Sequence, residues 1–431
     1  MLRVVTHGGE ARAELGRISQ RLADTQVQAE QVREILAQVR RRGDQALVDY
    51  TRQFDQVDLT PGEFLVSGSE LDAAYQQVSP ELLAAIRLAH QRITEFHRQR
   101  VPQTWVHFAP DGMVLGKRYT AVERAGIYIP GGRAAYPSTV LMNCIPAKVA
   151  GVSRIAMVTP PGPDKSVNPA VLVAAQECGV QEIYRIGGAQ AIGALAFGTE
   201  TIPAVDVITG PGNIYVTLAK KEVYGRVGID SLAGPSEVLI IADSTAQPQH
   251  VAADLLAQAE HDPMAAAILL TPDADLARQV VQAVAEQLEH HPRRLLTEKS
   301  IAHYGLVVVV ESLEQAASLA NEFAPEHLEL AVAEPWDLLP QIRHAGAIFL
   351  GHHTPEALGD YLAGPNHTLP TGGAARYSSA LGVETFLKAS SLVCASAEAL
   401  RQLGEAVIVL AETEGLHSHA ESVRVRLQAE C

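Results

Sequence analysis

Apolar and polar residues follow three different rhythms along this chain. Over residues 25–100 the apolar positions recur mostly at helical spacing; the stretch Gln28 to Arg41 carries one such stripe, and Gly43 interrupts it. Ser79-Pro80-Glu81 opens a further long helix, with serine as N-cap, proline at the first helical position and an acid in the first turn. The pattern then changes to short aliphatic runs: Gly126 to Ile129, Arg154 to Val158, Glu182 to Ile186, Val205 to Ile208, Val238 to Ile241, Ala266 to Leu270, Leu306 to Val310, Leu328 to Val332 and Ala347 to Leu350. Helical stretches separate most of them, which predicts βαβ units and parallel sheets.

Two pairs of segments rhyme. Ile155–Pro160 (IAMVTP) resembles Ala267–Pro272 (AILLTP), and Ala125–Gly131 (AGIYIPG) resembles Ala345–Gly351 (AGAIFLG), which predicts two similar α/β halves. The last fifty or so residues read as helical and end in the charged run Glu421 to Glu430. Such a tail needs a surface to pack on, in its own chain or in a partner subunit. The expected organisation is an N-terminal segment over 1–24, a discontinuous α/β domain over 25–127 and 237–380, an inserted Rossmann-like domain over 128–236, and a C-terminal tail over 381–431.

Composition supports this reading. Apolar residues make up 47% of the 431 and aromatics only 5%, the aliphatic balance of buried parallel strands. The net charge of -15 disfavours nucleic acid and anionic lipid as partners. No apolar run reaches the roughly 20 residues of a membrane span, and the N-terminus lacks a signal-peptide core. The four scattered cysteines form no CxxC pair, against a disulfide framework or a cysteine zinc site. A cytoplasmic protein is expected, and Cys144 reads as a buried helix cysteine.

Four constellations could carry chemistry. Gln258 and His261 share a helix face before Pro263, which suits either half of a metal site or a polar helix end. Glu326-His327 precedes an aliphatic strand, as an acid/base couple or a solvated turn. Asp360 and His367 flank the Gly364-Pro365 turn, at a site rim or in ordinary turn chemistry. Glu414, His417 and His419 lie in the tail, where the two histidines cannot share a helix face. No G-x-G-x-x-G is present, but Pro130-Gly131-Gly132, Gly187-Gly188-Ala189-Gln190, Gly210-Pro211-Gly212-Asn213 and Ala233-Gly234-Pro235-Ser236-Glu237 are turns whose N–H groups could hold phosphate.

Taken together, Ile229 to His261 and the motifs GIYIPGG, GGAQAI, GPGN, NEFAPEHLEL and GDYLAGPNHTLPT resemble the histidinol dehydrogenase family, in order and over essentially the whole chain. The resemblance implies one zinc ion per subunit on Gln258, His261, Asp360 and His419. It implies NAD near Tyr128, Gln190 and Asn213 within the inserted domain. Glu326 and His327 would be the catalytic bases. The substrate, L-histidinol, would meet Ser236, Gln258, His261, His327, Asp360, His367, Glu414 and His419. A homodimer is implied as well, its C-terminal tail completing the partner's site. The alternatives are a relative acting on another small amino or sulfonate alcohol, and a zinc hydrolase using Glu326.

Overall fold

In the computed structural model, residues 2–6, 8–21, 26–131, 136–180 and 182–428 are described; Gly132, Glu430 and Cys431 lie outside them. The chain forms two compact units, Met1–Arg100 with Glu123–Phe386, and Val101–Val122 with Leu387–Cys431.

The larger unit is built on two parallel sheets. One orders its strands Glu182–Tyr184, Arg154–Val158, Arg124–Tyr128, Val207–Thr209, Gly228–Ile229. The other runs Gly305–Val309, Ala266–Thr271, Glu237–Ala242, His327–Ala331, Ala347–Leu350, with Arg3–Thr6 added beside Gly305–Val309. Numbered along the chain, both read third, second, first, fourth, fifth, the Rossmann-like order whose direction reverses between first and fourth strands. The central strands are buried throughout, which is why they read as unbroken aliphatic runs.

This shared order bears on the two rhymes. IAMVTP and AILLTP cover the second strand of each sheet and are topological equivalents. AGIYIPG and AGAIFLG cover a first and a fifth strand and are not. An aliphatic strand running into a glycine turn recurs in any parallel sheet, so that second likeness follows from chemistry common to all such strands.

The expected domain grouping differs from the packing in three places. Helices Gln26–Arg42 and Asp44–Asp55 bury Val32, Ile35, Leu36 and Leu47 against Ile192, Leu195 and Ile208 of the five-stranded half. They do not join 237–380. The segment 1–24 is not separate: its strand pairs in parallel with Leu306–Val309, and Ala11, Leu15 and Ile18 of helix Gly9–Ser19 enter the six-stranded core. Finally, the tail begins with a nine-residue strand, Leu387–Ala395, paired antiparallel to Met113–Ala121, which pairs in turn with Trp105–Phe108. An amphipathic stripe shows that a helix needs a sheet but not which one. A polar strand such as LKASSLVCA is held by its distant neighbour more than by intrinsic preference.

The smaller unit holds that three-stranded sheet and helices Ala397–Thr413 and His417–Gln428, with a short core of Ile408, Ala411, Ala420 and Val423. Its strands and helices leave Trp105, Phe108, Val393, Val407 and Leu410 exposed.

The helix predicted at Ser79-Pro80-Glu81 spans Pro80–Arg98, and the Leu82 N–H donates to Ser79 Oγ at 3.1 Å. Its last turn carries His97, 2% exposed, with a buried Nε2 that has no partner. Burial lowers its pKa from 6.5 to about 4. Above pH 6.5 the ring is neutral folded or unfolded; below it the unfolded chain binds the proton preferentially. Stability is therefore complete above 6.5 and is lost as the pH falls toward about 4. At roughly 1.4 kcal/mol per pH unit this reaches about 2–3 kcal/mol. Urea unfolding at pH 7.5 and 4.5 should show a loss in the wild type that His97→Phe reduces by that amount; equal losses would contradict it.

Candidate active site

The chemistry gathers where two neighbouring strands of the six-stranded sheet begin. Val238 pairs with His327, so Glu326 lies beside Glu237. The Glu237 N–H donates to Glu326 Oε2 at 2.9 Å, and His327 Nδ1–H donates to the Glu237 carbonyl at 3.1 Å. That second bond fixes the tautomer and leaves the Nε2 lone pair free. Nε2 is buried without a hydrogen-bond partner and faces Asp360 Oδ1 at 3.7 Å.

Asp360 sits on the short helix Glu356–Tyr361, and Glu356 lies one turn before it on the same face. Glu356 and Glu326 stand 3.7 and 3.8 Å from His327 Nδ1. His367 donates Nδ1–H to the Asp360 carbonyl at 3.0 Å, and its Nε2 is 3.5 Å from Thr139 Oγ1. Burial pushes Glu326 up to about 7, and burial raises Glu356 as well. For His327 burial works against the charged form, but Glu356, Glu326 and Asp360 together raise its proton affinity well above the usual value. Three carboxylates around one imidazole in low dielectric form an environment that favours a cation.

Helix Pro248–Ala259 brings Gln258 to the same region, wholly buried, with neither amide atom partnered. His261 donates Nδ1–H to the Ala257 carbonyl at 3.0 Å, which orients the ring and leaves Nε2 for a ligand. Two orphaned amide atoms, a free imidazole nitrogen and Asp360 suit zinc's preference for mixed nitrogen and oxygen donors. Among the described residues the one preassembled cluster of three His, Cys, Asp or Glu is His327, Glu356 and Asp360, with donor atoms within 4.8 Å of one another. It shares only Asp360 with the expected ligands. Glu414 and His419 lie in the smaller unit, both exposed.

The nucleotide-side turns end strands of the five-stranded sheet, at the reversal of strand order where such sheets bind ligands. Gly210 follows the fourth strand at φ 115°, and a Cβ there would overlap the Tyr128 carbonyl, so only glycine serves. Asn213 caps helix Ile214–Val223, accepting from Tyr215 N–H at 3.0 Å and Val216 N–H at 3.2 Å, and faces the cavity. Tyr128 accepts the Gly188 N–H at 3.2 Å on its hydroxyl, shaping the turn from behind. Gln190 is buried with both amide atoms unpartnered, a fit for a bound group.

A single cavity of about 500 Å³ joins these regions, lined by Asn213, Ser236, His261, Glu326, His327, Asp360 and His367 among others. Glu356 and Tyr361 also line it and were not anticipated. The i, i+4 spacing of Glu356 and Asp360 was a signal for the first; nothing local marked the second.

The histidinol dehydrogenase family model matches residues 18–427. The chain is 70% identical to histidinol dehydrogenase of Thermosynechococcus vestitus, over 99% of this chain and 100% of that one. It is 65% identical to the enzyme of Gloeobacter violaceus, over 99% and 97%. The chain belongs to the histidinol dehydrogenase family. The crystal structure of histidinol dehydrogenase from Elizabethkingia anophelis superposes with a TM-score of 0.95 at 38% identity, covering 99% of this chain and 98% of that one. The histidinol dehydrogenase match begins in helix Gly9–Ser19 and ends in helix His417–Gln428, so it takes in the five-stranded sheet, the six-stranded sheet apart from Arg3–Thr6, the cavity and most of the smaller unit.

Proposed function

We propose that this chain oxidises L-histidinol to L-histidine through L-histidinal, consuming two NAD⁺ and one water. The observation that carries the reading is the single cavity in which the turns of one sheet face Glu326 and His327 at the edge of the other. His327 Nε2 takes the alcohol proton as hydride leaves carbon. Glu326, held by the Glu237 N–H, takes a proton from the water that adds to the aldehyde. His327 then accepts the proton of the hydrate in the second oxidation. A buried carboxylate raised to about 7 suits the water-activating role, and an imidazole whose proton affinity is raised by Glu356, Glu326 and Asp360 suits that of proton acceptor. NAD, bound along the turns near Tyr128, Gln190 and Asn213, supplies the hydride acceptor.

Gln258, His261 and Asp360, with His419 from a second copy, would hold zinc, which would orient the substrate's amine and imidazole nitrogens. Ser236, His367 and Glu414 complete the substrate pocket. A homodimer is supported by the smaller unit, whose exposed Phe108 (76%) and Val393 (70%) leave its sheet unpaired on a face. Cytoplasmic location is supported by the free Cys144 and Cys178. Among the described residues no helix is long and apolar enough to cross a membrane.

The test is zinc-dependent NADH formation, expected at two NADH per histidinol with histidine as product; no NADH at any zinc level would end the reading. Glu326→Gln should slow the second oxidation by roughly 10²–10⁴-fold while the first continues, so that histidinal accumulates. Equal slowing of both oxidations would remove the water-activating role.

A further inference from the structure

Both proton-handling residues depend on the backbone of one residue, Glu237, through its N–H to Glu326 and its carbonyl to His327. The Glu237 side chain does no chemistry in the proposed reaction, yet it is wholly buried and paired with Arg21 at 3.0 Å. Arg21, itself 3% exposed in its side chain, also donates to the Pro235 carbonyl (2.8 Å), the Met264 carbonyl (2.8 Å) and the Ile18 carbonyl (2.8 Å). Glu237 Oε1 accepts the Gly372 N–H at 3.3 Å, and the neighbouring Thr371 hydroxyl accepts the Gly234 N–H at 2.5 Å. Pro235, Met264 and Thr371 all line the cavity. One guanidinium at the end of the first helix thus ties the wall residues Pro235 and Met264 to Glu237, the residue that holds both bases, and the Glu237 carboxylate adds Gly372 beside Thr371.

A buried ion pair is a poor means of stabilising a fold. Its desolvation cost is large, and apolar residues of similar volume often serve as well or better. What a rigid planar fork does supply is geometry, several acceptors held in fixed relative positions. We propose that Arg21 and Glu237 are positioning residues for the dehydrogenase reaction, a clamp that sets the places of Glu326 and His327 relative to the substrate cavity. The inference rests on the reading of Glu326 and His327 as the proton-handling pair.

The experiment compares the wild type with the Arg21→Met, Glu237→Met double variant, which replaces both charges together and leaves the Glu237 backbone groups in place. The variant is expected to fold, with kcat reduced about 10–100-fold, the scale of a misplacement of about 1 Å, and KM for histidinol changed much less. Displacement of Glu326 should also release histidinal at each turnover. A purely structural role lowers the amount of active enzyme and leaves the ratio of histidinal to histidine unchanged. Arg21→Lys keeps the charge without the fork and should shift that ratio in the same direction, which keeps the test open if the double variant does not fold. Independently of any substrate, the His327 Nδ1–H should exchange with solvent faster in either variant, read by NMR on histidine-labelled protein. Wild-type protein that makes no NADH would overturn the function, while this exchange signal would still judge the clamp. Variants with wild-type ratios and wild-type exchange would overturn the clamp itself.

Discussion

Replacing His327 with glutamine lowers kcat for histidinol oxidation by about 10²–10⁴-fold, the usual contribution of a positioned general base. The glutamine amide can still donate to the Glu237 carbonyl, so the strand start keeps the bond that His327 makes at 3.1 Å. What it lacks is the Nε2 lone pair, the buried and unpartnered atom that faces Asp360. Zinc content is expected to stay at the wild-type level, since His327 lies outside the proposed ligand set. His327→Ala should be as inactive and somewhat less stable, because the His327 ring is 3% exposed and its removal leaves a void. The measurement is steady-state NADH formation with metal analysis on the same samples. A glutamine variant within a few-fold of wild type would take the base role away from His327.

The second large effect separates two candidate sets of metal ligands. The first is Gln258, His261, Asp360 and the partner copy's His419. The second is the cluster His327, Glu356 and Asp360, whose donor atoms already lie within 4.8 Å of one another. The first set is expected to prevail. Gln258 has two buried amide atoms with no other use, whereas His327 is tied to Glu237 and its free nitrogen is needed as a base. Gln258→Leu, His261→Ala and His419→Ala should each weaken zinc binding by more than the roughly 10–100-fold that losing an outer partner costs. They should leave dialysis nearly inactive and regain activity as zinc is added in excess. Glu356→Gln should keep its zinc. Zinc lost from Glu356→Gln and retained by Gln258→Leu would reverse the assignment.

Much of the larger unit could be read from residue order. The central strands are aliphatic without interruption because both of their faces are covered, and nearly all were placed within a residue or two. Ser79-Pro80-Glu81 predicted its helix start because capping is a bond between residues three apart. Ser236, His261, Glu326, His327, Asp360 and His367 each stand in a long motif of the sequence, and all of them line one cavity. Glu356 and the Arg21–Glu237 pair went unread. Arg21 and Glu237 are 216 positions apart, and an isolated arginine in an N-terminal segment resembles any surface charge.

What the order of residues determined by itself is therefore local: where buried strands run, where helices start, and which polar groups sit beside each turn. Folding alone decided three further matters. It assigned helices 26–55 to the five-stranded half, paired Leu387–Ala395 with Met113–Ala121, and set Glu237 beside Glu326. The physical reason is range. Helical periodicity and capping act over a few residues, but strand pairing and buried charge depend on neighbours brought together from hundreds of residues away.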